Sequence, residues 1–251
     1  MKLAFSKPTA NDHERNLLFE NYKKIGYEGL QLKAGQYSSY LDNPEDFLKE
    51  WSDYEGISSA VIMGGGLDES AKENIVKLAE FSKKIGAERL IYCMMINREG
   101  LTGEDIRSCG KVFNEMGKEV SDMGLKLTLH NHYNSPVMYR EDIHWFFDHK
   151  GKTEVGLTVD TAHFVKSGVH NIAEIINDFS PIIDNYHIKD IKHGEFVVLG
   201  RGTIDFEPVF DAIKATKYTG WVSTDEESDC ALIESMEQCY TYLSGGLFLH
   251  H

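Results

Sequence analysis

Apolar and polar positions along this chain follow two periods that take turns. Short runs that are apolar or alternate in steps of two, such as MKLAFS, EGLQLK, RLIYCMMI and KLTLH, read as β-strands. Between them lie longer stretches with apolar residues three and four apart. Leu17, Leu18, Tyr22 and Ile25 form one such stripe, on a helix that Asn11 or Asp12 can cap. Three junctions share a device: KKIGYEGLQL, KKIGAERLIY and SDMGLKLTLH each run from helix end through glycine into strand. Glycine there takes the left-handed conformation that stops a helix. Filling in the rest predicts strands over roughly 2–6, 28–33, 58–63, 89–96, 125–130, 154–160, 184–190 and 220–225. The intervening helices are predicted over roughly 12–25, 44–54, 68–85, 103–123, 140–149, 170–179, 206–217 and 229–244.

Strict β/α alternation implies a parallel sheet. Eight units in 251 residues favour a closed (β/α)8 barrel over an open doubly wound sheet. An open sheet would carry a glycine-rich phosphate loop after its first strand, where SKPTAND stands instead. The Gly64–Gly66 run reads as a flexible loop rather than a phosphate cradle. No Pro-, Ser- or charge-rich linker interrupts the alternation, so residues 1–251 are expected to form a single domain.

Charge narrows the partners. Lys and Arg total 26 against 40 Asp and Glu, a net of −14, with no basic patch. That balance disfavours nucleic acid and anionic membranes. No signal peptide is seen, and no apolar run approaches the ~20 residues that span a bilayer. Cys93, Cys109, Cys230 and Cys239 have neither CxxC spacing nor the density of a disulfide scaffold. Together these features predict a soluble cytoplasmic protein with reduced thiols. A homo-oligomer is compatible with the sequence. His250–His251 resembles the start of a tag and has no part in the pattern.

The candidate chemistry sits at the ends of the last four predicted strands. Those ends carry His130, Asn131 and His132; then Asp160 and His163; then His187, Lys189 and Asp190; then Asp225, Glu226 and Glu227. Alternation tests the placement, because successive strand side chains face opposite ways. If His130, Asp160, His187 and Asp225 point inward, so do Thr128, Thr158 with Gly156, Asn185 and Ser223. Leu127, Leu129, Leu157, Val159, Tyr186, Ile188, Val222 and Thr224 then face outward toward the helices, a mostly apolar set. Two imidazoles and two carboxylates converging on one point suit a divalent metal, which removes the cost of bringing the carboxylates together. Lys33, on the same face as Gln31, and Lys189, on the same face as His187, are candidate substrate contacts. Glu141, Asp142 and His144 are expected to be solvated, and Trp145, Phe146 and Phe147 to be core or interface.

VDTAH, NYHIKD, the HNH segment and LGRGTIDFEPVFDAIKATKYTGW together resemble the xylose-isomerase-like TIM-barrel superfamily. That group contains sugar isomerases, ketose 3-epimerases, inosose isomerases and dehydratases, and endonuclease IV. The resemblance covers most of the chain. It implies a divalent ion (Mn, Co or Zn, with Mg also used in the family) held by a Glu, an Asp, a His and a Glu after strands five to eight. Asp160 and His187 match that pattern as they stand. His130 replaces the first Glu. Asp225 replaces the second, unless a bulge lets Glu227 serve. The resemblance also places Arg201 beside the site as a substrate contact.

The implied activity is isomerisation or epimerisation of a small polyhydroxy ketone, a ketose or cyclitol, by proton transfer beside a metal-polarised carbonyl. Two-base epimerisation uses both family glutamates. A metal-bound His130 is a poor base, so one carboxylate remains, Asp225 or Glu227, with His132 or His163 as the second proton-transfer group. A single base also suits dehydration of an inosose or dehydroshikimate type of substrate, the alternative. Endonuclease IV chemistry is disfavoured, because no histidine occurs between His13 and His130. A non-catalytic sugar-binding barrel is the remaining class.

Overall fold

The computed structural model describes residues 1–51, 58–148 and 154–248. Eight parallel strands close into a barrel. They are β1 (Lys2–Ser6), β2 (Gly29–Leu32), β3 (Ser58–Gly65), β4 (Arg89–Met94), β5 (Lys126–His130), β6 (Val155–Asp160), β7 (Ile183–Ile188) and β8 (Trp221–Asp225). The last strand pairs with the first, from Lys2 opposite Trp221 to Ser6 opposite Asp225. The connecting helices are α1 (Asp12–Ile25), α2 (Pro44–Glu50), α3 (Glu69–Lys84), α4 (Gly103–Asp122), α5 (Arg140–Phe146), α6 (Ile172–Phe179), α7 (Glu207–Ala215) and α8 (Leu232–Phe248). The expected (β/α)8 alternation is what the chain adopts. Asn11 caps α1, its Oδ1 accepting from the Glu14 N–H at 3.0 Å.

The principal core lies between strands and helices. Leu127, Leu129, Leu157, Val159, Tyr186, Ile188 and Val222 all belong to it, as alternation predicts. The other face of the same strands fills the barrel. Ala60, Ile62 and Ile91 form a small apolar layer there. Polar pairs cross the interior on the other side: the Thr128 and Thr158 hydroxyls are 2.7 Å apart, and Gln31 Nε2 donates to Asn185 Oδ1 at 2.8 Å. Polar residues are tolerated at such depth because they satisfy one another.

Several boundaries differ from expectation. β3 runs on through Gly64 and Gly65, so those glycines are strand and not loop. Tyr92 explains the choice of residue: its hydroxyl donates to Gly66 O at 2.5 Å and occupies the space a Cβ on Gly65 would need. α2 ends at Glu50 and α5 at Phe146; the rest of the predicted 44–54 helix beyond residue 51, and residue 149, lie outside the described residues. α8 is shifted toward the C-terminus, spanning Leu232–Phe248. Among the described residues four short elements go beyond what the pattern predicts. They are the single turn Ala34–Tyr37, the 3-10 turn Ser38–Tyr40, the turn and a half Thr161–Lys166, and an antiparallel hairpin, Asp190–Lys192 with Glu195–Val197. Asp142 is a correction: it is buried, not solvated. It caps α5 by accepting from the Met138 and Tyr139 N–H groups and pairs with Arg98 at 3.0 Å. Among the described residues no helix is long and apolar enough to cross a membrane.

Candidate metal centre

The carboxyl ends of β5 to β8 deliver four side chains to one point. His130, Asp160, His187 and Asp225 each offer a ligand atom, and these atoms all lie within 4.8 Å of one another. All four residues are at most 2% exposed. Strand register causes the convergence. Asp160 pairs with His187 across β6 and β7, and Ser223, two residues before Asp225, pairs with His187 across β7 and β8.

Each ligand candidate is oriented by a second contact. His187 Nε2–H donates to Gln31 Oε1 at 2.7 Å, which leaves Nδ1 as the free lone pair. That Nδ1 is buried without a hydrogen-bond partner, 3.8 Å from Asp225 Oδ2 and 3.9 Å from Asp160 Oδ2. An orphaned imidazole nitrogen aimed at two carboxylates is what a cation site requires, and an oriented second ring nitrogen is its usual companion. His130 places Nε2 3.2 Å from Asp160 Oδ2 and Nδ1 3.4 Å from Cys93 Sγ. Asp160 also caps the Thr161–Lys166 turn, Oδ1 accepting from the His163 N–H at 2.9 Å. Asn131 grips the Asp160 backbone twice, accepting from its N–H at 2.7 Å and donating to its C=O at 3.1 Å. The donor set fits a borderline divalent ion such as Mn, Co or Zn.

The electrostatics are those of a buried cluster of mutually opposing charges. Burial lowers His187 to about 3, with His130 adding to that and Asp225 and Asp160 opposing it. Burial also works against charge on His130, but Cys93 and Asp160 outweigh it and push the group up to about 10. Burial would raise Asp160, yet His163, Lys189 and His130 hold it well below the usual carboxylate range.

A second ring of charge stands at the mouth. Lys189 Nζ lies 2.7 Å from Asp225 Oδ2, 2.8 Å from Glu227 Oε2 and 3.9 Å from Asp160 Oδ2. Lys33 Nζ lies 2.7 Å from Asp225 Oδ1 and 3.0 Å from Glu227 Oε1. The structure therefore brings both expected lysines to the cluster. It puts Asp225 within the four and Glu227 outside it, with a side chain 30% exposed. His132 and His163 lie beside the centre with ring centroids 3.9 Å apart. His163 Nδ1 accepts from the Tyr133 N–H at 3.2 Å, so the neutral ring carries its proton on Nε2. Burial lowers His163 to about 2, opposed by Asp160 and helped by Lys189 and the neighbouring histidines.

Other expected residues go elsewhere. The structure does not bring Arg201 to the cluster: it is exposed, and its guanidinium faces Glu234 of α8 at 3.5 Å. Asp190 is engaged by backbone rather than by the cluster. Its carboxylate accepts the N–H groups of Gly200, Gly202 and Ile204, and a Cβ on Gly202 would collide with it. That anchors the LGRGTID loop and turns Arg201 outward. Glu226 faces away as well, accepting from Lys7 Nζ at 3.3 Å behind β8. Sequence reasoning misses the orienting roles of Gln31 and Cys93, which arrive from β2 and β4. It also misses Phe196 on the hairpin. The Phe196 ring lies 4.3 Å from Lys189 Nζ and 5.1 Å from the His163 ring.

Known proteins share this arrangement of strands. The profile of the xylose isomerase-like TIM barrel matches residues 19–240. An inosose dehydratase of Clostridium botulinum is 30% identical over 236 residues, covering 86% of this chain and 75% of that protein. An inosose dehydratase of Clostridium beijerinckii is 31% identical over 143 residues, 49% of this chain and 48% of the relative, so that alignment spans about half the relative's length. Among solved structures, an L-ribulose 3-epimerase superposes with a TM-score of 0.83 at 14% identity, over 98% of this chain and 94% of that one. The IolI protein with a binding zinc atom superposes with a TM-score of 0.80 at 20% identity, over 98% of each chain. At such identities the two structures speak for the fold alone. The profile match spans nearly the whole barrel, and on it the chain belongs to the xylose isomerase-like TIM-barrel family.

Proposed function

We propose that the protein is a divalent-cation-dependent lyase that removes water from a small polyhydroxy ketone of the inosose class. One observation carries this reading over epimerisation. All three carboxylates of the site, Asp160, Asp225 and Glu227, come from β6 and the end of β8, while β5 offers His130, both of whose ring nitrogens are engaged. Inversion by two bases needs a carboxylate on each face of the substrate. Elimination needs one base and one acid. The names of the curated relatives, inosose dehydratase at 30% and 31% identity, support the same choice.

His130, Asp160, His187 and Asp225 would hold the cation, which when bound polarises the ketone and acidifies the neighbouring C–H. Glu227 is the base. Burial and the Asp225 charge would raise it, but Lys33 and Lys189 hold it below the usual glutamate range, so it is a carboxylate at neutral pH. It takes the α-proton, and the C–H electron pair forms the enolate. The enolate then re-forms its carbonyl as the β-carbon–oxygen bond breaks. The protonated Glu227 then returns its proton to the departing hydroxyl, which leaves as water, while the neutral His163 donates a hydrogen bond from Nε2–H to that oxygen. Lys189 stays an ammonium, because Asp225, Asp160 and Glu227 outweigh its burial, and it steadies charge on the enolate oxygen. His132, half-buried, is tilted against His163 and connects that ring with solvent.

The test is incubation of Mn²⁺-loaded protein with inosose and ketose panels in deuterated water, followed by NMR and mass spectrometry. The expected result is loss of one water from an inosose. Epimerised or isomerised ketose carrying deuterium, with inososes untouched, would overturn the lyase reading. It would favour the second one, isomerase or epimerase, in which the His132–His163 pair supplies the missing second proton-transfer group.

Gln31 offers a check on the cation site. Gln31→Leu removes the acceptor that sets the His187 tautomer, and Mn²⁺ affinity is expected to fall about 10–100-fold with the fold retained. Calorimetry on the variant measures this. An unchanged affinity would mean that His187 needs no orienting partner.

A further inference from the structure

Lys189 occupies the position a cation would want. Its Nζ is 2.7 Å from Asp225 Oδ2, and this is the oxygen that faces His187 Nδ1 at 3.8 Å. The same ammonium lies 3.9 Å from Asp160 Oδ2. Lys33 takes the other Asp225 oxygen at 2.7 Å. Both oxygens of one candidate ligand are therefore held by internal positive charge. Asp225 is 2% exposed, and a buried carboxylate without a counter-charge is costly.

We infer that Lys33 and Lys189 are built-in competitors for the divalent cation, holding Asp225 in its absence and giving it up when the ion binds. The inference rests on the cluster being a cation site. The charge count supports it. Three carboxylates face two ammonium groups across the centre and its mouth, so a dication entering beside both lysines meets repulsion from each. Glu227 gives the displaced lysines a second partner, at 3.0 Å for Lys33 and 2.8 Å for Lys189. Each ammonium can thus release Asp225 without losing all its counter-charge. The lysines keep the empty centre folded, and they set its affinity lower than four ligands alone would give.

The consequence is counter to ordinary mutagenesis of a site: removing a site residue tightens binding. Lys33→Met and Lys189→Met are titrated with MnCl2 by calorimetry after dialysis against chelator. Thermal melts are recorded with and without Mn²⁺, and Lys33→Arg serves as the charge-preserving control. Each Met variant is expected to bind Mn²⁺ at least about tenfold more tightly than the parent. Each should melt lower without the ion and gain more from it, while Lys33→Arg follows the parent. Lys33 is the more exposed of the two, 16% against 2% for the side chain, so Lys33→Met carries the measurement if Lys189→Met does not fold. Parent-like or weaker Mn²⁺ binding in folded Met variants, beside a parent that does bind, would overturn the competition and leave the cation site standing. A parent that binds no Mn²⁺ would overturn the cation site itself, and the inference with it.

Discussion

Asp160→Ala protein is expected to bind no Mn²⁺ above background and to lose activity by about 10³–10⁴-fold, the equivalent of several kcal/mol of lost charge stabilisation. Its fold should persist. Asn131 holds the Asp160 position through the backbone N–H and C=O, which alanine keeps. What alanine removes is the carboxylate that faces His130 at 3.2 Å, His187 at 3.9 Å and Lys189 at 3.9 Å, together with the cap of the following helical turn. Loss of such a cap costs about 0.5–2 kcal/mol. Asp160→Asn separates the two roles, since its amide oxygen can still accept from the His163 N–H while its charge is gone. Metal analysis and calorimetry on both variants decide the matter. Parent-like Mn²⁺ content in both would mean that the ion, if any, sits elsewhere.

Much of that site is legible in the amino-acid sequence. The four residues stand at the inward end of strands whose other inward positions are small or polar, Thr128, Thr158, Asn185 and Ser223, and whose outward positions are apolar except Thr224. Period-two patterning therefore places them on one face at one height. What the pattern does not carry is non-local or too short to have a period. Gln31 reaches His187 across the barrel from a strand 156 positions away, and a lone polar residue on β2 gives no sign of that partner. The hairpin that carries Phe196 is built from two three-residue strands. It turns on His193 and Gly194, both with positive φ (53° and 86°), and no hydrophobic repeat announces it. Arg201 is misplaced by sequence because its loop resembles one that faces the mouth. The outward turn depends on Asp190 collecting three backbone N–H groups of that loop besides the Ile191 N–H, contacts that glycine spacing alone does not reveal.

Glu227→Gln should separate chemistry from ion binding. Glu227 lies outside the four converging residues, so the variant is expected to keep binding Mn²⁺, more weakly than the parent because the displaced lysines lose their second partner, and rates are compared at saturating ion. Its carboxylate is the only one of the proposed site not committed to the centre, and its removal should lower kcat by about 10²–10⁴-fold, the usual worth of a general base. The pH profile gives an independent sign. A base works when deprotonated, so activity is lost as pH falls through its pKa. Burial and Asp225 push Glu227 upward, but Lys33 and Lys189 prevail and hold it below the ordinary glutamate range. The parent's acidic limb in kcat/KM should accordingly lie at lower pH than an isolated glutamate would give. Glu227→Gln should show no such limb. Asp225→Asn, measured beside it, should lose Mn²⁺ and rate together, because that carboxylate belongs to the cluster. If Glu227→Gln keeps the parent's kcat and acidic limb while Asp225→Asn retains its ion and loses only rate, Asp225 is the base. The centre then has three protein ligands, and the two carboxylates at the end of β8 exchange the roles proposed for them.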